Sequence, residues 1–292
     1  MKNFIFNNFN NINGINNGKL YCDEPAASLK NNELKISSLR ISLRADCNEG
    51  CFYCHNEGIP STMKSSLEIG DILNAIHSLK SLGLVKVKLT GGEPFLFKKL
   101  GELIYGIKHI GDIKIFITTN GTLIKKRISD ISLGAIEKIS VSLDTLDEKK
   151  YRMITGKNLL HEVLGGLKLL KERNYKVEID CLLLKNVNNN KENIEDMIDY
   201  CSANNFNLQF IELSTLSAEN IYKKYYIDPI KTFKKAGFDF RTDIYNDRKF
   251  IKYKNVKITL CRSVKNTALS SDGRCSGLRM LPNGQLRGFY YF

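Results

Sequence analysis

The chain of 292 residues has no long apolar run. A membrane-spanning helix needs roughly eighteen or more apolar positions in a row. No stretch approaches that, so the sequence predicts a soluble protein with no membrane partner. A secretion signal is missing too: MKNFIFNNFNNINGINNGK has one early lysine, no apolar centre and no small-residue cleavage site. The expected location is therefore cytoplasmic. Eight of the first seventeen residues are Asn, which marks residues 1–35 as a polar, loosely held arm. No basic arm or aromatic-interleaved basic stripe appears, although the net charge is +13. The lysines are dispersed, which argues against a nucleic-acid partner and for a solvated basic surface or an anionic small substrate.

What is present is an ordinary globular composition, 42% hydrophobic and 26% charged, long enough to bury one large core. From residue 36 short β-branched runs alternate with longer amphipathic stretches. The runs are 39–44, 85–89, 113–118, 138–143, 175–184 and 208–213; the stretches lie near 66–82, 97–110, 122–134, 147–173 and 190–204. Six strand-then-helix units imply parallel strands with right-handed crossovers. Along the strands, Ile41 and Leu43 alternate with Arg40 and Ser42, Val87 and Leu89 with Lys86 and Lys88, and Val177 and Ile179 with Glu178 and Asp180. Strands covered on both faces normally read as apolar throughout. One polar face must therefore line a wet lumen or hold a polar ligand, since unpaired charge in a dry interior costs several kcal/mol. The fold class predicted is α/β, a partial (β/α)6 TIM-type barrel over 36–214, with a small C-terminal cap over 215–292.

Cysteine is the most informative residue type. Three of the eight crowd into RADCNEGCFYCHNEG, as C-x3-C-x2-C directly after the first strand, where α/β barrels carry their active sites. Cys47, Cys51 and Cys54 suit three irons of a [4Fe–4S] cube and leave the fourth without a protein ligand. The alternative is structural zinc with His55 as fourth ligand, which would make the chain a non-catalytic metal-binding protein. Zinc sites more often show two separated C-x2-C pairs.

With an aromatic before its last cysteine, this loop resembles that of the radical S-adenosylmethionine (SAM) superfamily. Thr90-Gly91-Gly92-Glu93-Pro94 after the second strand is similar to that family's Gly-Gly-Glu-Pro motif. Paired glycines let backbone approach a ligand, and an acid offers a counter-charge to an ammonium. The detail of LRISLRADCNEGCFYCHNEG, VKVKLTGGEPFLFKKL, IFITTNGTL, ISVSLDTLDEKKYRMITGK and FIEL resembles the MoaA-like GTP 3′,8-cyclases of molybdenum cofactor synthesis. The resemblance implies cluster ligation by Cys47, Cys51 and Cys54. It implies SAM contacts at Tyr53, Gly91, Gly92, Glu93, Ser142 and Ser214, and substrate contacts at Arg40, Lys88 and Thr118. Ser142 could equally be a satisfied strand-end hydroxyl, and Arg40 could pair with Asp46 or Glu57.

The C-terminal segment departs from that subgroup. Its second cluster is bound by C-x2-C-x13-C, whereas here Cys275 holds the middle place and Asp272 and Phe289 stand at the others. One thiolate cannot hold a cubane, so a single [4Fe–4S] cluster and SAM are the cofactors expected. Of the family's paired arginines only Arg279 remains, and its fifth-strand lysine appears as Glu178. Glu178 and Arg279 join Arg40 and Lys88 as candidate substrate contacts, and Cys275 is a candidate hydrogen donor. The expected activity is reductive cleavage of SAM to a 5′-deoxyadenosyl radical that takes hydrogen from a polar small molecule, a nucleoside or a peptide. A reducing partner such as flavodoxin or ferredoxin is implied; a GTP 3′,8-cyclase-like reaction is the alternative.

Overall fold

In a computed structural model the described residues are 15–16, 19–20, 36–60, 62–239, 241–242, 249–261 and 277–288. A two-residue strand pair, Ile15–Asn16 with Lys19–Leu20, stands apart from the main sheet. In chain order the main sheet contains β1 (Ser38–Ser42), β2 (Lys86–Thr90), β3 (Lys114–Thr119), β4 (Lys138–Ser142), β5 (Val177–Leu182) and β6 (Asn207–Ile211). It continues with β7 (Arg241–Thr242), β8 (Lys249–Tyr253), β9 (Val256–Cys261), β10 (Gly277–Met280) and β11 (Leu286–Gly288). β1 to β6 pair in parallel, each beside the next. All six expected strands are present, shifted by a residue or two at their ends.

The segment after residue 214 extends the same sheet at both edges. β9 adds in parallel to β6, and β10 adds in parallel to β1, followed by antiparallel β11. β7 and β11 are the outer strands, so the sheet is open among the described residues and the barrel is partial.

The helices cover the apolar face. α1 (Ile69–Lys80) buries Ile72, Ile76 and Leu79, and α2 (Leu100–Ile110) buries Leu100, Leu103, Ile104 and Ile107. This is the 3.6-residue stripe expected of a helix laid on a sheet. Ile41, Val87, Leu89, Ile115, Ile117, Ile139, Val141 and Ile179 lie in the same core at 0% exposure. Each such side chain contributes roughly 1.5–3 kcal/mol on burial.

Two helical stretches differ from expectation. Over 122–134 there is only α3 (Ile124–Arg127) and a 3₁₀ turn, Ile128–Asp130. There Arg127 turns back to pair with Asp130 at 2.6 Å and to donate to the Phe95 and Lys98 carbonyls. The 147–173 stretch divides into α4 (Glu148–Thr155) and α5 (Leu160–Glu172). Gly156 sits between them at φ 67°, a left-handed helix end that glycine adopts without penalty. α6 (Lys191–Asn204) is capped by Asn190, and α7 (Glu219–Tyr225) and α8 (Pro229–Lys235) follow β6. Among the described residues no helix is long and apolar enough to cross a membrane.

Candidate functional site

Loops at the C-terminal ends of neighbouring strands meet above the polar face. The loop after β1 carries the three cysteines and rests on the end of α4. The Gly50 amide donates to the Thr155 carbonyl at 2.9 Å, and the Phe52 amide to the Ile154 carbonyl at 3.0 Å. Phe52 packs on Tyr225 of α7 with ring centroids 4.6 Å apart. Both lie over a small second core of Ile154, Leu184, Val187 and Leu213. Tyr53 is tied down twice: its hydroxyl donates to Asp144 at 2.6 Å, and its carbonyl accepts from Ser217 at 3.0 Å.

Cys47 and Cys54 are exposed and Cys51 is half-buried. The Glu49 amide and the Asn120 side-chain amide donate to the Cys47 sulfur at 3.5 and 3.6 Å. The Asn56 amide donates to the Cys54 sulfur at 3.3 Å. Burial pushes the Cys47 thiol up to about 11 and the Cys51 thiol further. Without a cationic group Cys47 and Cys51 keep their protons; metal binding must release them. Three sulfurs with amide donors aimed at two of them fit an iron–sulfur group that needs only three protein ligands. Among the described residues no three His, Cys, Asp or Glu side chains converge as ligands of one ion would.

The glycine pair after β2 seats the cysteine loop. The Gly92 amide donates to the Arg44 carbonyl at 2.7 Å, and the Glu93 amide to the Asp46 carbonyl at 3.0 Å. A Cβ on Gly92 would lie 2.0 Å from the Asp46 carbonyl oxygen. The approach these glycines permit is that of the cysteine loop itself. The Glu93 side chain turns inward. Its carboxylate is 0% exposed and accepts from the Phe95 amide at 3.0 Å, the Thr119 hydroxyl at 2.7 Å and the Asn120 amide at 2.8 Å. Three donors end on its two oxygens, so most of its hydrogen-bonding capacity is spent inside the protein. It fastens the ends of β2 and β3 together, although burial pushes its carboxyl up to about 7.

Below the loops lies the polar face. Register places Arg279 of β10 beside Arg40 of β1, and Arg40 beside Lys88 of β2. Of the two partners the sequence offered Arg40, Glu57 is the one it meets, at 3.1 Å, and Glu57 also meets Arg279 at 3.5 Å. Glu178 pairs with Lys138, missed in the sequence, although Lys138 shares the polar alternation of Ser140 and Ser142. The Oγ1 of Thr118 and one carboxylate oxygen of Asp180 are buried with no hydrogen-bond partner among the described residues. Ser142, half-buried, borders a small cavity with Cys51, Tyr53 and Asp144. Ser214, also half-buried, accepts from the Leu216 amide at 3.1 Å. Cys181 is in the main core, 2% exposed, on the same side of β5 as Val177 and Ile179. Cys275, Asp272 and Phe289 lie outside the described residues.

Burial pushes the Asp180 carboxyl up to about 6 against the pull of Lys88, and pushes the Lys88 ammonium down to about 8. A raised carboxyl means that the folded state holds its proton more tightly. The stability it contributes is complete below the unfolded value near 4 and is lost as pH rises through about 6. Asp180→Asn is therefore expected to leave the metal-free protein unchanged at pH 4 and to stabilise it by roughly 1–3 kcal/mol at pH 8. Thermal melts of both proteins across that range check this; parallel curves would refute it.

Comparison with known proteins bears on this geometry. The family model of the radical SAM superfamily matches residues 41–201. The probable GTP 3′,8-cyclase of Pyrococcus horikoshii is 33% identical over 263 residues, covering 86% of this chain and 83% of that protein. The GTP 3′,8-cyclase of Clostridium perfringens is 32% identical over 264 residues, covering 87% and 80%. Among solved structures, Streptococcus suis SuiB bound to its precursor peptide SuiA superposes with a TM-score of 0.68 at 19% identity. That match covers 87% of this chain and 59% of SuiB. SuiB bound to SAM gives 0.67 over 87% of this chain and 60% of SuiB, also at 19% identity. At such identity the likeness shows the fold alone. From the match over residues 41–201 and from relatives a third identical along most of their length, the chain belongs to the radical SAM superfamily, among its MoaA-like GTP 3′,8-cyclase relatives.

Proposed function

We propose that this enzyme cleaves SAM reductively at a single [4Fe–4S] cluster held by Cys47, Cys51 and Cys54, and takes hydrogen from a polar substrate bearing both anionic and cationic groups. The carrying observation is the cysteine loop, pinned by α4 and by the Gly91–Gly92 backbone at the mouth of a polar lumen. When bound, the cluster and SAM supply one-electron chemistry and a carbon radical, which the chain does not generate itself.

The protein's own residues hold and orient. Asn120 and the Glu49 and Asn56 amides donate to sulfur, which favours the ligating thiolates. Tyr53 and Ser142 border the place next to Cys51 where SAM would sit, and Ser214 lies on the loop after β6. Arg40, Arg279 and Lys88 face anionic groups of the substrate; Asp180 and Thr118 offer it buried oxygens that have no hydrogen-bond partner among the described residues. The reductant in this reading is a small carrier such as flavodoxin or ferredoxin. Cys275 stays a candidate hydrogen donor, tested by the turnover of Cys275→Ala.

The relatives favour a second reading, GTP 3′,8-cyclisation. Against it stand Glu178, where that subgroup's lysine is expected, and Asp272 and Phe289 in place of two second-cluster thiols. Reversing a charge weakens a triphosphate site. Anaerobically reconstituted protein is expected to release 5′-deoxyadenosine from SAM with dithionite, yet to bind GTP more weakly than micromolar and form no cyclised nucleotide. Micromolar GTP affinity with turnover would establish the cyclase instead.

A further inference from the structure

The segment leaving the cysteine loop turns back into the lumen. Asn56 and Glu57 both take left-handed backbone, at φ 45° and 53°, in the 3₁₀ turn Asn56–Gly58. Two consecutive non-glycine residues in that region are strained and persist only where other contacts hold them. The contacts are plain here. The Asn56 side chain donates to the Ile59 carbonyl at 2.9 Å, and Arg279 donates to the Glu57 carbonyl at 2.8 Å. The Glu57 carboxylate meets Arg40 at 3.1 Å, Arg279 at 3.5 Å and the Ser42 hydroxyl at 3.3 Å. Despite burial, Arg40, Arg279 and Lys88 hold this carboxyl below its ordinary range, so it is ionised. A carboxylate lying on two guanidiniums is the arrangement an incoming anion would make there.

We propose that Glu57 is a built-in competitor for the substrate's anionic group, a specificity-determining residue that lowers the affinity of the Arg40–Arg279 pair for polyanions. This rests on the lumen being the substrate site. An anion reaches the guanidiniums by displacing Glu57 or by sharing them with a like charge. A polyphosphate suffers most from that repulsion, and a singly charged carboxylate or phosphoester suffers least. Displacement also frees the strained turn, so occupancy of the lumen is coupled to the chain that leaves Cys54.

Inorganic tripolyphosphate is the probe, titrated calorimetrically into reconstituted wild type, Glu57→Gln and Glu57→Gly. Glutamine keeps the shape and removes the charge; glycine also accepts the left-handed backbone without strain. Both variants are expected to bind tripolyphosphate at least about tenfold more tightly than wild type, with iron and sulfide content unchanged. Equal or weaker binding in the variants overturns the proposal, because Glu57 would then be orienting the arginines for the ligand. Failure of both variants to fold overturns it too, since a displaceable group cannot be one that folding requires. Wild-type cleavage of SAM, measured without substrate, reports separately on the underlying functional reading.

Discussion

Cys51→Ala is expected to abolish iron loading and, with it, 5′-deoxyadenosine release from SAM. Three protein ligands are the fewest that leave a single open corner on a four-iron cluster. Removing one leaves two thiols, and burial biases one of them, Cys47, toward the protonated form. Losing only an outer-shell contact typically costs about 10–100-fold in metal affinity, so loss of a direct ligand should exceed that. The variant should fold, since the loop's anchors are backbone hydrogen bonds from Gly50 and Phe52 to α4, not the Cys51 side chain. Iron and sulfide analysis under anaerobic conditions gives the answer: about four irons in wild type and close to none in the variant. A variant that keeps its iron, or a wild type that holds zinc, would remove the enzymatic reading.

Glu93→Ala has the largest expected effect on stability, a loss of roughly 2–5 kcal/mol. Three donors now end on its carboxylate in a site with no solvent access. Alanine relieves the cost of a buried carboxyl raised to about 7. It also strands two amides and a hydroxyl, each worth about 1–3 kcal/mol when unsatisfied, and opens a cavity. The loss outweighs the relief. The melting temperature should fall by roughly 5–15 °C, and the cysteine loop should loosen, because Gly92 and Glu93 are its backbone partners. A variant melting like wild type while failing to bind SAM would instead return Glu93 to the role of counter-charge.

The contrast at Glu93 shows where sequence reasoning stops. The motif fixes the position of an acid after β2, but not the direction of its side chain. That direction is set by Thr119 at the end of the next strand and by Asn120 just after it. Glu57 is similar: the sequence offers it and Asp46 alike as partners for Arg40, and the choice is made by left-handed backbone and by Arg279, 222 positions away. The strands that flank the six on either side were not among the expected runs. β9 and β10 acquire their partners only where β6 and β1 present open edges. By contrast, Lys138 could have been found, because its period-two relation to Ser140 and Ser142 is plain in the sequence.

By itself the sequence determined the parallel strands β1 to β6, the division into an apolar and a polar face, and the trio of thiols after β1. All three follow from short-range regularities: alternation within a strand, helical spacing between strands, and ligands packed into one loop. Only the tertiary structure decided which charges on the polar face neutralise one another, that Glu93 points inward and Glu57 into the lumen, and that the C-terminal strands widen the sheet at both edges. Those outcomes depend on groups far apart in the chain meeting at hydrogen-bonding distance, and electrostatic pairing at that range is decided by position in space rather than by order along the backbone.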